Sequence, residues 1–363
     1  MLRPLTALTA ALVLAAASPP ALAQAPAAGR TAPSVALGGV LFYDYTVSAA
    51  PETADAAGAA IHANAFNVTR AYLNVTGRVN SLIAFRITPD IARYGTGSTD
   101  GLAFRLKYGY AQFDLGRFTG SWTGAWVRVG MQQTPFLDGQ ESVYRYRFQG
   151  TAFAERDGRL SSSDTGISAR TNLPGGYGDV HAGLYNGEGY TRPEANDQKA
   201  FMLRATVRPL PDGGRHVRGL RVTAYVHRDH VMRDAVRHRF VGSAWYEHPR
   251  LNAGVDYLTR SDQAAPGAPT VESDGYSVFV TPFFQQKGDG LEALLRFDSF
   301  RSDRTLRNTR QHRTIAGLAW WMPSVAGRAT AAILLDYEHV VQRNAAGAPP
   351  ADRRVTLHGL IDF

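Results

Sequence analysis

The stretch Gln133–Ser163 carries Glu141, Arg145, Arg147, Glu155, Arg156 and Arg159. Charges at this density are either solvated on an external loop or, confined in a narrow aqueous passage, select ions by sign. A second set, Arg70, Arg86, Arg105, Lys107, Arg128, Arg204 and Arg221, falls within segments where polar and apolar residues alternate. In a strand such residues share one face. Neither set has the spacing of a catalytic centre. His227-Arg228-Asp229-His230 mimics the catalytic loop of a kinase, but no glycine-rich phosphate loop and no D-F-G accompany it. With His238 nearby, the histidine spacing remains too loose for a zinc site. The sequons at Asn67 and Asn74 lie in strand-like segments and read as accidental. There is no G-x-S-x-G, H-E-x-x-H or Walker motif. We therefore expect no catalytic residues, no metal and no cofactor.

The elements that must position these charges are strands. In "RAYLNVTGRV", Ala71, Leu73, Val75 and Val79 alternate with Arg70, Tyr72, Asn74, Thr76 and Arg78. In "LAFRLKYGY", the alternation sets Leu102, Phe104, Leu106, Tyr108 and Tyr110 against Arg105 and Lys107. About sixteen such segments of some ten residues follow one another, with almost no helical periodicity between them. The segment at 164–171 carries the weakest pattern. Connections mostly alternate short and long, as between the two sides of an outer-membrane barrel. Two depart from this rule: 209–217 is long for its side and 230–235 is short. The longest connection is the charged stretch Gln133–Ser163. Aromatics such as Tyr43, Tyr110, Trp122, Tyr246, Trp320 and Phe363 gather toward segment ends, as interfacial girdles do.

The two ends of the chain agree with this picture. Residues 1–23 combine Arg3, an apolar run and Ala21-Leu22-Ala23, the pattern of a cleaved export signal. Residues 24–34 read as a flexible Pro/Ala-rich tail and 35–363 as one barrel domain. At the other end Val355, Leu357, Gly359, Ile361 and Phe363 share a face, so the chain stops within a strand. A sheet can cross lipid only if closure satisfies every backbone group, and closure requires the last strand to pair with the first. There are no cysteines, hence no disulfide or thiolate site. The formal charge is +8, and only three of the 39 basic residues are lysines. Those arginines are spread along an exported chain, which argues against nucleic acid and for a surface that meets small anions.

Short motifs sharpen the reading. "VGMQQTPF" at Val129–Phe136 resembles the Gly-then-Pro-Phe motif of the phosphate-selective porin O and P family. "FAERD" (153–157), "YNGEG" (185–189) and "AFMLR" (200–204) follow in that family's order, and "AYLNVTGRV" (71–79) is similar to its early strand. The resemblance implies a sixteen-stranded, usually homotrimeric channel whose third external loop, here Gln133–Ser163, folds into the pore. It also implies that Phe363 forms the signal read by the outer-membrane barrel assembly machinery. The chain departs from the family's phosphate specialists in lacking a lysine cluster.

The expectation is an all-β, transmembrane antiparallel barrel in the bacterial outer membrane, passing small hydrophilic solutes with a preference for anions. Its partners would be outer-membrane lipids and the anions themselves. The six loop residues would form the constriction, with Arg145, Arg147 and Arg156 supplying a collective positive field. The seven strand cations would form the facing wall. The competing readings are a lipase-like barrel enzyme, which would need a Ser–His pair, and a soluble periplasmic β-sandwich binding protein.

Overall fold

A computed structural model describes residues 32–363 except 97–98, 326–328 and 344–346. The proposed export signal at 1–23 and the tail to residue 31 lie outside the described residues.

Sixteen strands form one closed sheet in which each pairs with its sequence neighbours. They are β1 (Ser34–Ala50), β2 (Asn64–Arg78), β3 (Ile83–Thr96), β4 (Thr99–Asp114), β5 (Trp126–Gln133) and β6 (Ser163–Asn172). Next come β7 (Gly178–Tyr185), β8 (Ala200–Val207), β9 (Leu220–Met232), β10 (Ala235–His248) and β11 (Leu251–Asp262). The last are β12 (Val271–Pro282), β13 (Gly290–Arg301), β14 (Arg310–Val325), β15 (Ala329–Gln342) and β16 (Asp352–Asp362). β6, from the weakest sequence pattern, pairs with both neighbours.

Closure occurs where β16 pairs antiparallel with β1, from Val40 opposite Asp362 to Ala50 opposite Arg353. On β16, Val355, Leu357 and Ile361 face outward while Thr356, His358 and Leu360 are buried. The same outward apolar row recurs at Ile333, Leu335 and Tyr337 on β15, backed by buried Leu334 and Asp336. This is the alternation a barrel needs between lipid and an inner polar face. The sheet closes on itself instead of splitting into two packed layers, so the β-sandwich reading is set aside. The two connections that broke the length rule are real: β8 and β9 are joined by residues 208–219, while β9 and β10 are joined by 233–234. Asp234 makes that tight turn with φ of 63°.

The alternation fails at one informative place. Thr88 of β3 pairs with Tyr108, but Pro89 pairs with Leu106, so Lys107 is an extra, bulged residue. A bulge advances the side-chain phase by one, and proline lacks the N–H needed for a regular ladder. Lys107 and Tyr108 are therefore both buried on the inner face, while Phe104 and Leu106 remain exposed outside. Tyr110 follows the new phase and lies opposite Gly130, beside Arg128. Tyr108 and Tyr110 thus sit on the cationic face, not on the lipid face where strict alternation put them.

Candidate pore constriction

The chain between β5 and β6 opens with α1 (Pro135–Glu141). Proline at the first turn is compatible with a helix start because that N–H has no intrahelical partner. The preceding glycine of the Gly-then-Pro-Phe motif, Gly130, has φ of +119°, and a Cβ there would meet the Gly109 carbonyl oxygen at 2.3 Å. Only glycine fits that crossing of β4 and β5.

From α1 onward the segment packs along the inner wall. Phe136 lies 5.5 Å from Tyr225 and 5.6 Å from Trp245, Tyr144 lies 5.1 Å from Phe279, and Tyr146 lies 5.9 Å from Trp321. Phe148 reaches Phe42 of β1. All these side chains are buried. Polar contacts fasten the same path. Gln140 Nε2 donates to Asp256 at 2.6 Å, Asn252 Nδ2 donates to the Val143 carbonyl at 2.8 Å, and Arg239 Nε donates to the Arg159 carbonyl at 3.1 Å. Buried aromatics carry large contact areas, so the segment is a packed internal element and not a solvated external loop.

Its cations are nearly all answered. Arg145 pairs with buried Glu292 at 2.9 Å and lies 4.0 Å over the Trp321 ring. Tyr146 donates to the same carboxylate at 2.8 Å. Arg147 is held between Glu141, at 3.0 Å, and Glu155. Arg156 donates to the Thr151 carbonyl at 3.1 Å and sits 3.7 Å from Glu338. Arg159 pairs with Asp157 at 2.8 Å and stacks on Phe300. Of the three arginines expected to supply a collective positive field, Arg145 and Arg147 thus lie against carboxylates, while Arg156 shares Glu338 with Arg313.

The two loop glutamates differ. Burial pushes the Glu141 carboxyl above the usual range, against the pull of Arg147. Burial acts upward on Glu155 too, but Arg147 and Lys107 overcome it and hold that carboxyl at about 2.

Facing the loop are β2–β4. Arg70 lines two cavities, one of about 360 Å³ shared with Glu155, Arg159 and Tyr190, and one of about 490 Å³ shared with Tyr72, Glu141 and Arg147. It therefore stands at the waist between them. Arg70 donates to the Tyr72 hydroxyl. Lys107 is ringed by Tyr72 at 5.3 Å, Tyr108 at 5.7 Å and Tyr190 at 5.1 Å. Among the described residues neither Arg70 nor Lys107 has a carboxylate within ion-pair distance. Arg105 does: it bonds Asp90 at 3.2 Å and the Tyr190 hydroxyl at 3.1 Å. Arg86 reaches Asn74 at 2.7 Å and stacks on Tyr108.

The wall read from the sequence therefore divides. Arg70, Arg86, Arg105 and Lys107 gather opposite the loop. Arg128 bonds Gln112 at 2.7 Å and stacks on Trp126 away from the waist. Arg204 pairs with Asp179 and Arg221 with Glu247, near a separate cavity under β6–β9. Strand phase put all seven on the inner face but could not assign their height. Sequence reading also missed Tyr190, which the 186–199 connection brings against Arg105 and Lys107. Its anchor is the Gly187 N–H, which donates to Asp164 at 2.8 Å. The motif "YNGEG" was the only hint. Among the described residues no cluster of His, Asp and Glu could hold a metal.

No protein-family model matches the chain, and no curated protein does. Solved structures do. OmpT of Vibrio cholerae is similar with a TM-score of 0.60 at 15% identity, over 92% of this chain and 98% of that one. The outer-membrane channel DcaP of Acinetobacter baumannii gives 0.60 at 14%, over 92% and 98%. An anion-selective porin from Comamonas acidovorans gives 0.57 at 12%, over 91% and 100%. The class defined by these likenesses is the sixteen-stranded barrel of outer-membrane proteins.

Proposed function

We propose that the chain is an outer-membrane porin: a water-filled channel for passive diffusion of small hydrophilic solutes, with a preference for anions. The observation that carries the reading is Arg70, which lines both cavities on either side of the internal loop. No reaction is required. The barrel supplies an aperture, and charges on a narrow passage bias which ions enter. At the waist Arg70, Arg86, Arg105, Lys107 and Arg147 face Asp90, Glu141 and Glu155, more cations than carboxylates. The excess resides on the wall, and the six loop residues shape and temper the field.

Channel function is supported by the printed descriptions of DcaP and of the Comamonas porin. Assembly as a homotrimer is supported by the trimer form described for the Vibrio protein. Kinship with the phosphate-selective family rests on the short motifs, and phosphate preference is not part of this proposal. Liposome swelling in arabinose tests the channel directly. Liposomes holding folded protein swell faster than empty ones; equal rates overturn the proposal.

A further inference from the structure

We infer that the 186–199 connection is a strap that gates the constriction in response to pH, with Glu188 as its trigger. The inference rests on the channel reading above and adds how the passage is narrowed and widened.

The strap joins β7 to β8 on the same side of the barrel as the internal loop. It folds inward. Gly187, Glu188, Tyr190, Thr191 and Arg192 line the cavity of about 360 Å³ that Arg70 borders. The Tyr190 hydroxyl accepts from Arg105 at 3.1 Å, and the Tyr190 ring lies 5.1 Å from the Lys107 ammonium. Lifting the strap therefore withdraws a side chain from the waist.

One arginine carries much of the attachment. Gly187 has φ of +114°, and a Cβ there would meet Asp229 Oδ1 at 2.5 Å, so the strap backbone is pressed against β9. The Gly187 N–H donates to Asp164 at 2.8 Å, and Arg237 Nη2 donates to the Gly187 carbonyl at 2.9 Å. Arg237 Nε also donates to Asp229 at 2.5 Å. At the β8 end Gln198 and Asp234 exchange two hydrogen bonds of 2.8 Å.

Glu188 is the surplus charge in this attachment. Its side chain is only 5% exposed, yet among the described residues neither carboxylate oxygen accepts a hydrogen bond. Its one ion-pair partner there is Arg237 at 3.6 Å, which Asp229 already engages. The other charges around it offer no relief. On the strap, Glu194 and Lys199 pair with each other at 2.6 Å, and Arg192 is exposed. β6 contributes Asp164, another carboxylate. β9 contributes Asp229 with His227 at 3.5 Å, and His230, which packs on His238 of β10. These histidines add charge only when protonated. Across the cavity Arg239 is taken by Asp262 and Arg159 by Asp157, and Glu155 is again acidic. Asp164, Glu188 and Asp229 thus share Arg237. Burial, and after it Glu194 and Asp229, push the Glu188 carboxyl up to about 7 against the pull of Arg237.

The sign follows from linkage. The carboxyl titrates at about 7 with the strap seated and at about 4.3 with the strap free, so the seated form is favoured at low pH. That preference is complete below about 4.3 and is lost as pH rises to about 7. The ratio of seated to free strap should fall roughly 40-fold between pH 5 and pH 7, and only about 2-fold between pH 7 and pH 9.

The test uses folded full-length protein in planar bilayers in 1 M KCl, where a Debye length of about 3 Å suppresses the effect of pH on the surrounding field. The times spent at a reduced and at a full conductance level are compared at pH 5, 7 and 9. Their ratio should follow the two falls above. In Glu188→Gln, which keeps the bulk and cannot ionise, the fall between pH 5 and pH 7 should shrink to the small part owed to the histidines, and the reduced level should persist at pH 9. A variant lacking residues 190–197 should stay at the full level at every pH. Arabinose swelling on the same preparation separates failure of the channel reading from failure of this one. Protein that swells liposomes but shows a single level, or the same ratio at pH 5 and pH 7, overturns the inference. So does a Glu188→Gln protein that keeps the whole wild-type fall.

Discussion

Replacing Arg70 with Gln removes the one cation, among the described residues, that borders both cavities and lacks a carboxylate partner. The waist then loses one unit of its excess positive charge. An ion passing at about 5 Å interacts with a unit charge by about 0.8 kcal/mol in water. With a Debye length of about 8 Å at 0.15 M salt, roughly half survives, so about 0.4 kcal/mol is lost by each anion and gained by each cation. The anion-to-cation permeability ratio should fall about 4-fold. At 1 M salt, where the Debye length is about 3 Å, the same change should cost less than about 2-fold. Zero-current potentials in KCl gradients, at low and high mean salt, read both numbers. Gln keeps most of the bulk, so conductance should move less than selectivity. An unchanged ratio at low salt would refute the assignment of the excess charge to the wall.

Arg145→Gln should behave differently, because it leaves Glu292 buried beside Tyr146 without its cation. Stranding a buried charge costs about 3 kcal/mol, so the loop should loosen, seen as open-channel noise and faster proteolysis within 134–162 rather than as a simple selectivity shift. Acidification should raise anion preference in two stages: Glu141, whose carboxyl burial lifts, protonates first as pH falls from neutral, while Glu155, held at about 2, keeps its charge. In Glu141→Gln the share of that rise owed to this carboxyl should be lost from the pH profile of the reversal potential. Deleting Phe363 should lower the yield of assembled barrel more than it alters the pore of what assembles. The residue exchanges two backbone hydrogen bonds with Gly39, at 2.8 and 3.0 Å, and its ring covers that glycine; normal heat-modifiable mobility and yield after truncation would count against this.

The barrel was legible because its signal is local. Period-two alternation at Leu73, Val75, Leu203 and Leu357 follows from one face meeting lipid, and sixteen repeats of it leave few other architectures. The bulge at Lys107 was not legible, since two consecutive inward residues look like noise until Pro89 is seen to pair across from them. The charged loop was found as a long connection, and its place inside the barrel came from resemblance alone. Arg147 and Arg159 pair within the loop, but the fate of Arg145 and Arg156 depends on partners 147 or more residues away, Glu292 and Glu338. Spacing along the chain carries no information about such pairs. Composition suggested an anion bias and placed its source on the loop and the facing wall; among the described residues Arg70 and Lys107 on the wall have no carboxylate within ion-pair distance.

The most direct measurement is the reversal potential of the unmodified protein in a planar bilayer across a low-salt KCl gradient. Stepwise conductance with a potential whose sign marks chloride as the more permeant ion, and whose size shrinks as mean salt rises, is the expected result. A potential that marks potassium as more permeant, or folded protein that never opens a conducting path, would contradict the account.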